Sequence, residues 1–381
     1  MTRDRLIVAH VITGLEVGGA ETVLLRLLSH MDRARIASRV ISLGSVGKIG
    51  PRIEELGVPV VALGRDRFRR NLPVSRRLFA ALRETRPDVV QTWMYHADYV
   101  GGIGAWLARG SAVAWGLHTG PVPPDPSLAM RVGLKVNARL SHFVPDTIVC
   151  CAGATQRVHA DLGYSSRKMV VIPNGFAEPP VFPNAGEHLK RTIGVSPDSV
   201  LIGRVARWHP QKDHETLIAA CELVRRQSAD VHLVLVGEGM TEQNVELHGW
   251  VSGRGLTGSV HYLGARDDVD RLNAGFDVAA SSSSYGEAFP LVLGEAMATG
   301  TPVVSTDVGD SGVLIDDPSR VVSPGDPGSL ANALTKVVTL DPASRGRLGE
   351  RDKKRVLGTF SLDRMIEAYT SLYERLAREH R

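Results

Sequence analysis

A chain of 381 residues has room for about two domains of ordinary size. Its 43% hydrophobic and 23% charged residues are those of a soluble globular protein, and the sequence shows no low-complexity tract and no short-period internal repeat. The formal charge of +4 hides an asymmetry, because residues 1–178 carry 23 Lys and Arg against 14 Asp and Glu while the remainder carries 22 against 27. The two halves are therefore expected to meet different partners.

From the N-terminus, Arg3 and Arg5 precede the apolar run Leu6–Ile12. As a secretory signal the run is too short, contains His10 and leads into Gly18-Gly19-Ala20-Glu21 without a cleavage site. It reads as a first strand over 5–13. A helix over 20–31 follows, with Val23, Leu24, Leu27 and Leu28 on one face. Further strands are expected over 36–43, 58–63, 88–93, 112–117, 146–151 and 168–172, with a helix over 74–86. Apolar runs separated by amphipathic helices imply βαβ units and a parallel sheet. The Pro- and Gly-rich stretch 173–186 breaks both periodicities and reads as an interdomain linker. It separates a domain over 1–178 from one over 179–360.

The alternation then restarts, with strands over 200–206, 231–236, 259–263, 277–281, 302–305 and 320–322 and helices over 213–227, 290–299 and 327–339. A last helix over 361–379 carries Leu362, Met365, Ile366, Tyr369 and Leu372 on one face and is expected to pack back on the first domain. The fold class is α/β: two doubly wound, Rossmann-like domains facing each other across a cleft, with ligands beyond the carboxyl ends of the strands. No stretch of about 18 uninterrupted apolar residues occurs. Cys150, Cys151 and Cys221 form no CxxC pair and suit small core positions in a reducing compartment, so a cytoplasmic protein is expected.

Five segments carry candidate chemistry. Gly18 and Gly19, between the first strand and first helix, suit close backbone approach to an anion at a helix N-terminus. The segment is not GxGxxG, so no dinucleotide fingerprint is present. Arg207 and Lys212 lie five positions apart on the loop after the first strand of the second half, where two cations can converge on a diphosphate; the alternative is an exposed basic loop. In the run Ser281–Ala296, Glu287 precedes a helix start marked by Pro290, and Glu295 lies within that helix. The amides near Phe289 and Leu291 suit an anion, and Glu295 suits a vicinal diol; the alternative is a glutamate on an exposed helix edge. His118 follows a strand of the first half and suits orienting a hydroxyl, or a structural role. Arg65, Arg67, Arg69, Arg70, Arg76 and Arg77 suit either an anionic lipid surface or a solvated face. No nucleic-acid-binding motif accompanies them, so no nucleic acid is expected as a partner. Asp268-Val269-Asp270 has the form of a metal-binding DxD but sits among helix-start signals, and no metal site is assigned.

Taken in order, Gly18-Gly19-Ala20-Glu21, His118, Ile172-Pro173-Asn174-Gly175, Arg207 and Lys212, Val236-Gly237-Glu238-Gly239, and Glu287 to Glu295 resemble the retaining glycosyltransferases of family 4, which have the GT-B fold. The resemblance implies that Arg207 and Lys212 hold the donor diphosphate. It implies that Glu295 binds the ribose hydroxyls, and that Glu287 with the amides of Phe289 and Leu291 addresses the donor sugar. It also places Gly18 and Gly19 near the phosphates, His118 at the reaction centre, and Gly239 and Arg266 at the base. The family's Asn-Ser is here Cys151-Ala152, a departure that bears on a local turn. Trp93–Asp98 and Thr306–Asp310 resemble members that build bacterial surface polysaccharides. The implied partners are a nucleotide-sugar donor and a sugar or lipid-linked acceptor, with a possible anionic membrane surface. The implied site is cytoplasmic, peripheral at the inner face of the plasma membrane. No cofactor is implied beyond the nucleotide-diphosphate sugar as cosubstrate. Rival readings are a nucleotide-sugar epimerase, a sugar phosphorylase, and a non-catalytic nucleotide-sugar-binding regulator.

Overall fold

The structure is a computed structural model that describes residues 5–64, 71–120, 126–227 and 230–380. The chain divides into two compact units, residues 1–175 with 362–381, and residues 176–361. The statements below concern the described residues.

The first unit is built on seven strands: β1 (Leu6–Ile12), β2 (Ile36–Ser42), β3 (Val60–Ala62), β4 (Val89–Trp93), β5 (Ala112–Leu117), β6 (Thr147–Cys150) and β7 (Met169–Val171). They form one sheet in the order β3-β2-β1-β4-β5-β6-β7, and every pairing is parallel. The helices between them are α1 (Gly19–His30), α2 (Ile49–Glu55), α3 (Asn71–Thr85), α4 (Tyr95–Ala108), α5 (Leu128–Leu140) and α6 (Gly153–Asp161). Central strands β4 and β5 are buried at every position, as a parallel sheet covered on both faces requires. Strand order reverses between β1 and β4, and such reversals open the crevice where ligands bind in doubly wound sheets.

The second unit carries α7 (Ala185–Ile193), β8 (Val200–Val205), α8 (His214–Gln227), β9 (Val231–Val236), α9 (Val245–Gly253), β10 (Val260–Gly264), α10 (Val269–Gly275), β11 (Val278–Ser281), α11 (Leu291–Ala298), β12 (Val303–Thr306), α12 (Ser311–Ile315), β13 (Val321–Val322), α13 (Pro327–Val338) and α14 (Pro342–Thr359). Its parallel sheet runs β10-β9-β8-β11-β12-β13, reversing between β8 and β11. Ile202, Leu235, Val278 and Val304 from the strands meet Leu217 and Val224 of α8 and Leu330 and Leu334 of α13 in one core cluster. Each strand overlaps a run expected from apolar patterning.

The last helix, α15 (Leu362–Glu379), belongs to the first unit. Its buried stripe of Leu362, Met365, Tyr369, Leu372, Tyr373 and Leu376 packs against α1, β1 and β4. Arg35 fastens it through Glu374 at 2.8 Å and Glu367 at 3.4 Å.

The stretch 173–186 differs from a simple linker. Phe176 is 2% exposed; its amide donates to the Phe360 carbonyl at 2.9 Å, and its ring stacks on Phe289 at 6.1 Å. A Cβ on Gly294 would lie 2.0 Å from that ring, so the glycine makes room for it. The division between units therefore falls before Phe176, and α7 begins inside the stretch read as the interdomain linker.

Arg320, the residue before β13, and Asp352 of α14 form a bidentate pair of 2.5 and 2.8 Å, with both residues buried. Removing one partner of a buried pair costs about 3–5 kcal/mol where the other charge is left alone, and less where it keeps a second partner, as Arg320 keeps Asp317 at 3.1 Å. Asp352→Ala is expected to lower the stability of the second unit by about 2–3 kcal/mol, read from its urea transition. A change below about 1 kcal/mol would mean that the guanidinium finds other acceptors.

Candidate functional site

The carboxyl edge of the second sheet gathers the loops after β8, β9, β11 and β12. Gly237, after β9, has φ +141°, and a Cβ there would lie 2.1 Å from the Ala206 carbonyl oxygen. Gly309, after β12, has φ +66° and lies equally close to the backbone of Glu287 and Ala288. Only glycine fits both the dihedral and the distance at these positions. Cross-loop bonds complete the join: the Trp208 amide donates to the Glu238 carbonyl at 2.7 Å, that of Ser284 to the Gln211 carbonyl at 2.9 Å, and that of Asp310 to the Ala288 carbonyl at 2.8 Å.

On this scaffold Lys212 and Glu287 form an ion pair, with Nζ 2.5 Å from Oε1 and the side chains 18% and 15% exposed. The Ser283 hydroxyl donates to the same Oε1 at 2.8 Å. Behind them lies Arg204, 1% exposed. Its Nη2 donates to the Lys212 carbonyl at 3.0 Å and the Ser283 Oγ at 3.3 Å, and its Nη1 donates to the Ala280 carbonyl at 3.3 Å. Burial pushes the Glu287 carboxyl up, but Lys212, Ser283 and Arg204 more than offset it and hold the group below its ordinary range. Burial also lowers Lys212 and brings Arg204 down to about 10.

The residues expected from sequence fall as follows. Arg207 is exposed on the loop that carries Lys212, and His214 bonds that loop's backbone at the Arg207 carbonyl, 3.1 Å away. Lys212 and Glu287, expected to hold different parts of a ligand, hold each other. Glu295 is partly exposed on α11, which begins at Leu291 with Pro290 at its N-cap. The Phe289 ring is 4% exposed and packs on Phe176 and Phe360, so this side chain is a core element. Gly239 has φ +78° and lies against Trp208. Arg266 forks onto Asp268 with two 2.8 Å bonds, so its guanidinium already has a carboxylate partner where a base contact was expected. Asp268 and Asp270 stand at the start of α10, and no metal-holding group of three or more His, Cys, Asp or Glu occurs among the described residues. Arg204 and Ser283 were missed. The available signal was a lone charged residue inside the otherwise uncharged run of β8.

In the first unit, Gly18 caps α1, and a Cβ there would meet the Glu21 carboxylate at 2.3 Å. Gly19 is exposed beside it. Ala152 stands at the N-cap of α6 with no side-chain oxygen to offer the helix amides. His118 follows β5 and stacks on Trp93 with centroids 4.8 Å apart; Tyr369 of α15 flanks the same indole at 6.1 Å. The His118 Nε2 is buried without a partner, and burial brings its pKa down to about 4. Arg76 and Arg77 are exposed on α3, with Arg77 donating to the Leu63 carbonyl at 3.0 Å. Arg65, Arg67, Arg69 and Arg70 lie outside the described residues.

Two family models match the chain. Residues 17–177 match Glycosyltransferase Family 4, and residues 196–339 match Glycosyl transferases group 1. LpsE of Rhizobium meliloti, a lipopolysaccharide core biosynthesis glycosyltransferase, is 30% identical over 68% of this chain and 74% of its own. An Escherichia coli UDP-Gal:alpha-D-GlcNAc-diphosphoundecaprenol alpha-1,3-galactosyltransferase is 21% identical over 78% of this chain and 77% of its own. Among solved structures, HepE of Anabaena in complex with UDP superposes with a TM-score of 0.85 at 23% identity, covering 97% of this chain and 99% of that one.

A histidine that loses hydration on folding binds its proton less tightly in the native state, so its contribution to stability falls as pH drops through the interval between the two pKa values. For His118 that interval runs from 6.5 down to about 4. Ring-nitrogen NMR is expected to show His118 neutral throughout pH 8 to about 5. A midpoint near the ordinary histidine value would contradict the buried placement.

Proposed function

Because the chain belongs to glycosyltransferase family 4, we propose that it is a retaining transferase that moves a hexosyl or N-acetylhexosaminyl group from a nucleotide-diphosphate sugar, a UDP-sugar foremost, to an acceptor hydroxyl. The observation that carries this reading is the pairing of Lys212 with Glu287 at the carboxyl edge of the second sheet, with Arg207 on the same loop. An ammonium has three donors and Glu287 takes one, so two remain for phosphate oxygens. In the reaction the bond from the sugar's anomeric carbon to the diphosphate breaks, a bond from that carbon to the acceptor oxygen forms, and the acceptor's proton passes to the leaving phosphate. Arg207 and Lys212 stabilise the charge growing on that diphosphate, the work a divalent metal does elsewhere. Glu287 orients Lys212 and faces the donor sugar, and Glu295 takes the ribose hydroxyls. His118, Gly18 and Gly19 are the first unit's contribution under the same reading, with His118 neutral and able to hydrogen-bond a sugar hydroxyl. The preference for uridine is supported by the Anabaena relative crystallised with UDP and with UDP-glucose.

A lipid-linked or oligosaccharide acceptor of polysaccharide biosynthesis is supported by what LpsE and the Escherichia coli relative are named for. Helix α5 fits work at an anionic membrane. Leu128, Val132 and Val136 recur at helical spacing and are 77%, 52% and 40% exposed, with Phe143 beyond the helix at 72%. Exposed Arg131, Lys135 and Arg139 run alongside, and the helix holds no acidic residue. Such an apolar ridge rimmed by cations suits the lipid headgroup boundary. No helix among the described residues is long and apolar enough to cross a membrane.

Thermal-shift panels of UDP-, GDP- and ADP-sugars should give the largest rise with UDP-sugars. Arg207→Ala and Lys212→Ala should each lower turnover by roughly 10²–10³-fold, and near-normal turnover in the double variant would remove the mechanism. Proton NMR of the first-formed product is expected to show the donor's anomeric configuration. In sedimentation with liposomes, the chain should be recovered with anionic vesicles and lost on Leu128→Ser with Val132→Ser. Equal recovery on neutral and anionic vesicles would rule out charge-driven docking.

A further inference from the structure

We propose that Arg204 is a positioning residue for the transfer reaction, holding Lys212 and Glu287 in place from within β8; this rests on the transferase reading above. Arg204 lies in a strand paired on both sides, beside the point where strand order reverses. A guanidinium taken out of water there is costly, and an apolar side chain of similar volume would serve stability as well or better. The polar partners it does have all belong to the two site loops or the strand that leads into one of them: the carbonyls of Lys212 and Ala280 and the hydroxyl of Ser283. No carboxylate accepts from it, and its Nε is buried without a partner.

These bonds close a ring. Arg204 holds the Lys212 backbone and Ser283; Ser283 donates to Glu287; Glu287 takes the Lys212 ammonium, which returns to the starting residue. The Ser283 hydroxyl has a single proton. With Arg204 occupying its acceptor side, that proton is directed to Glu287. Lys212 is thereby fixed at both ends, its backbone by Arg204 together with the Ser282 hydroxyl at 2.9 Å, and its ammonium by Glu287.

The charge count gives the ring a second consequence. Glu287 and Asp213 both lie near Arg204, so without Arg204 the two cations of the loop, Lys212 and Arg207, would be matched by two carboxylates. With Arg204 behind the pair, the cluster keeps one net positive charge in a place of low dielectric, where it acts strongly and needs no rearrangement as charge develops. Donor binding in the ground state is left to exposed groups. The contribution of Arg204 therefore falls on kcat more than on KM.

The test compares the intact chain with Arg204→Met, Arg204→Lys and Ser283→Ala. Nucleotide release is measured with a UDP-sugar and acceptor across pH, with active-site concentration fixed by UDP titration. Arg204→Met should lose roughly 10–100-fold in kcat, the size of one or two charge-assisted hydrogen bonds, with a much smaller change in donor KM. The acid limb of its pH profile should move upward, because Glu287 loses a neighbouring cation, and Arg204→Lys should restore that limb part of the way. Ser283→Ala removes the same relay without opening a large void, and its acid limb should move in the same direction. It decides the matter if Arg204→Met does not fold. A residue serving only to fill the core would reduce melting temperature and active fraction while leaving the acid limb and the kcat per active site unchanged, and that result overturns the proposal. Failure of the wild-type chain to release nucleotide from any donor overturns the transferase reading itself, before any variant is compared.

Discussion

A lysine and a glutamate that are both mostly shielded from water have to stay together, and much of the second unit is arranged so that they do. Lys212 comes from the loop after β8 and Glu287 from the loop after β11, two strands that are neighbours only because the sheet reverses its order there. The reversal lets consecutive loops leave in opposite directions and opens a crevice at the strand ends. Gly237 and Gly309 bring the flanking loops within touching distance of those two. The pair is thus a product of topology: neither residue has its partner nearby in sequence.

The fold was legible because both sheets are parallel and covered. Their strands are short apolar runs separated by amphipathic helices, and that alternation survives in sequence with little noise. The site was legible to the extent that it rests on residues standing next to punctuation, as Lys212 does after a strand and Glu287 does before a proline-marked helix start. What was not legible depends on a single contact. Phe176 sits in a stretch whose prolines and glycines read as linker, yet its ring is held by Phe289 and by a glycine of α11. Arg266 meets Asp268 two positions on, a local bond that a family comparison of positions does not reveal. Arg204 is one cation in a six-residue strand, and periodicity averages over such a residue.

The first unit uses a different device. His118 is kept neutral by burial and held flat against Trp93, which Tyr369 of α15 flanks at 6.1 Å. Desolvation without a counter-charge makes an imidazole a poor base and a good neutral hydrogen-bonding group. The chemistry available at His118 therefore differs in kind from that at Lys212 and Glu287, where desolvated charges are retained because they are paired.

The path of the chain has a consequence for biogenesis. Residues 176–361 form an unbroken stretch, whereas the other unit is split, its final helix arriving after that stretch has been made. During synthesis the unit encoded second has all its strands and helices in hand first. The one encoded first must wait, with β1 and β4 lacking the cover of α15, until residues 362–379 leave the ribosome. A chain stopped early would present a finished carboxyl-terminal body joined to an amino-terminal one with bare aromatic and aliphatic surface, the kind of species that chaperones hold and proteases remove.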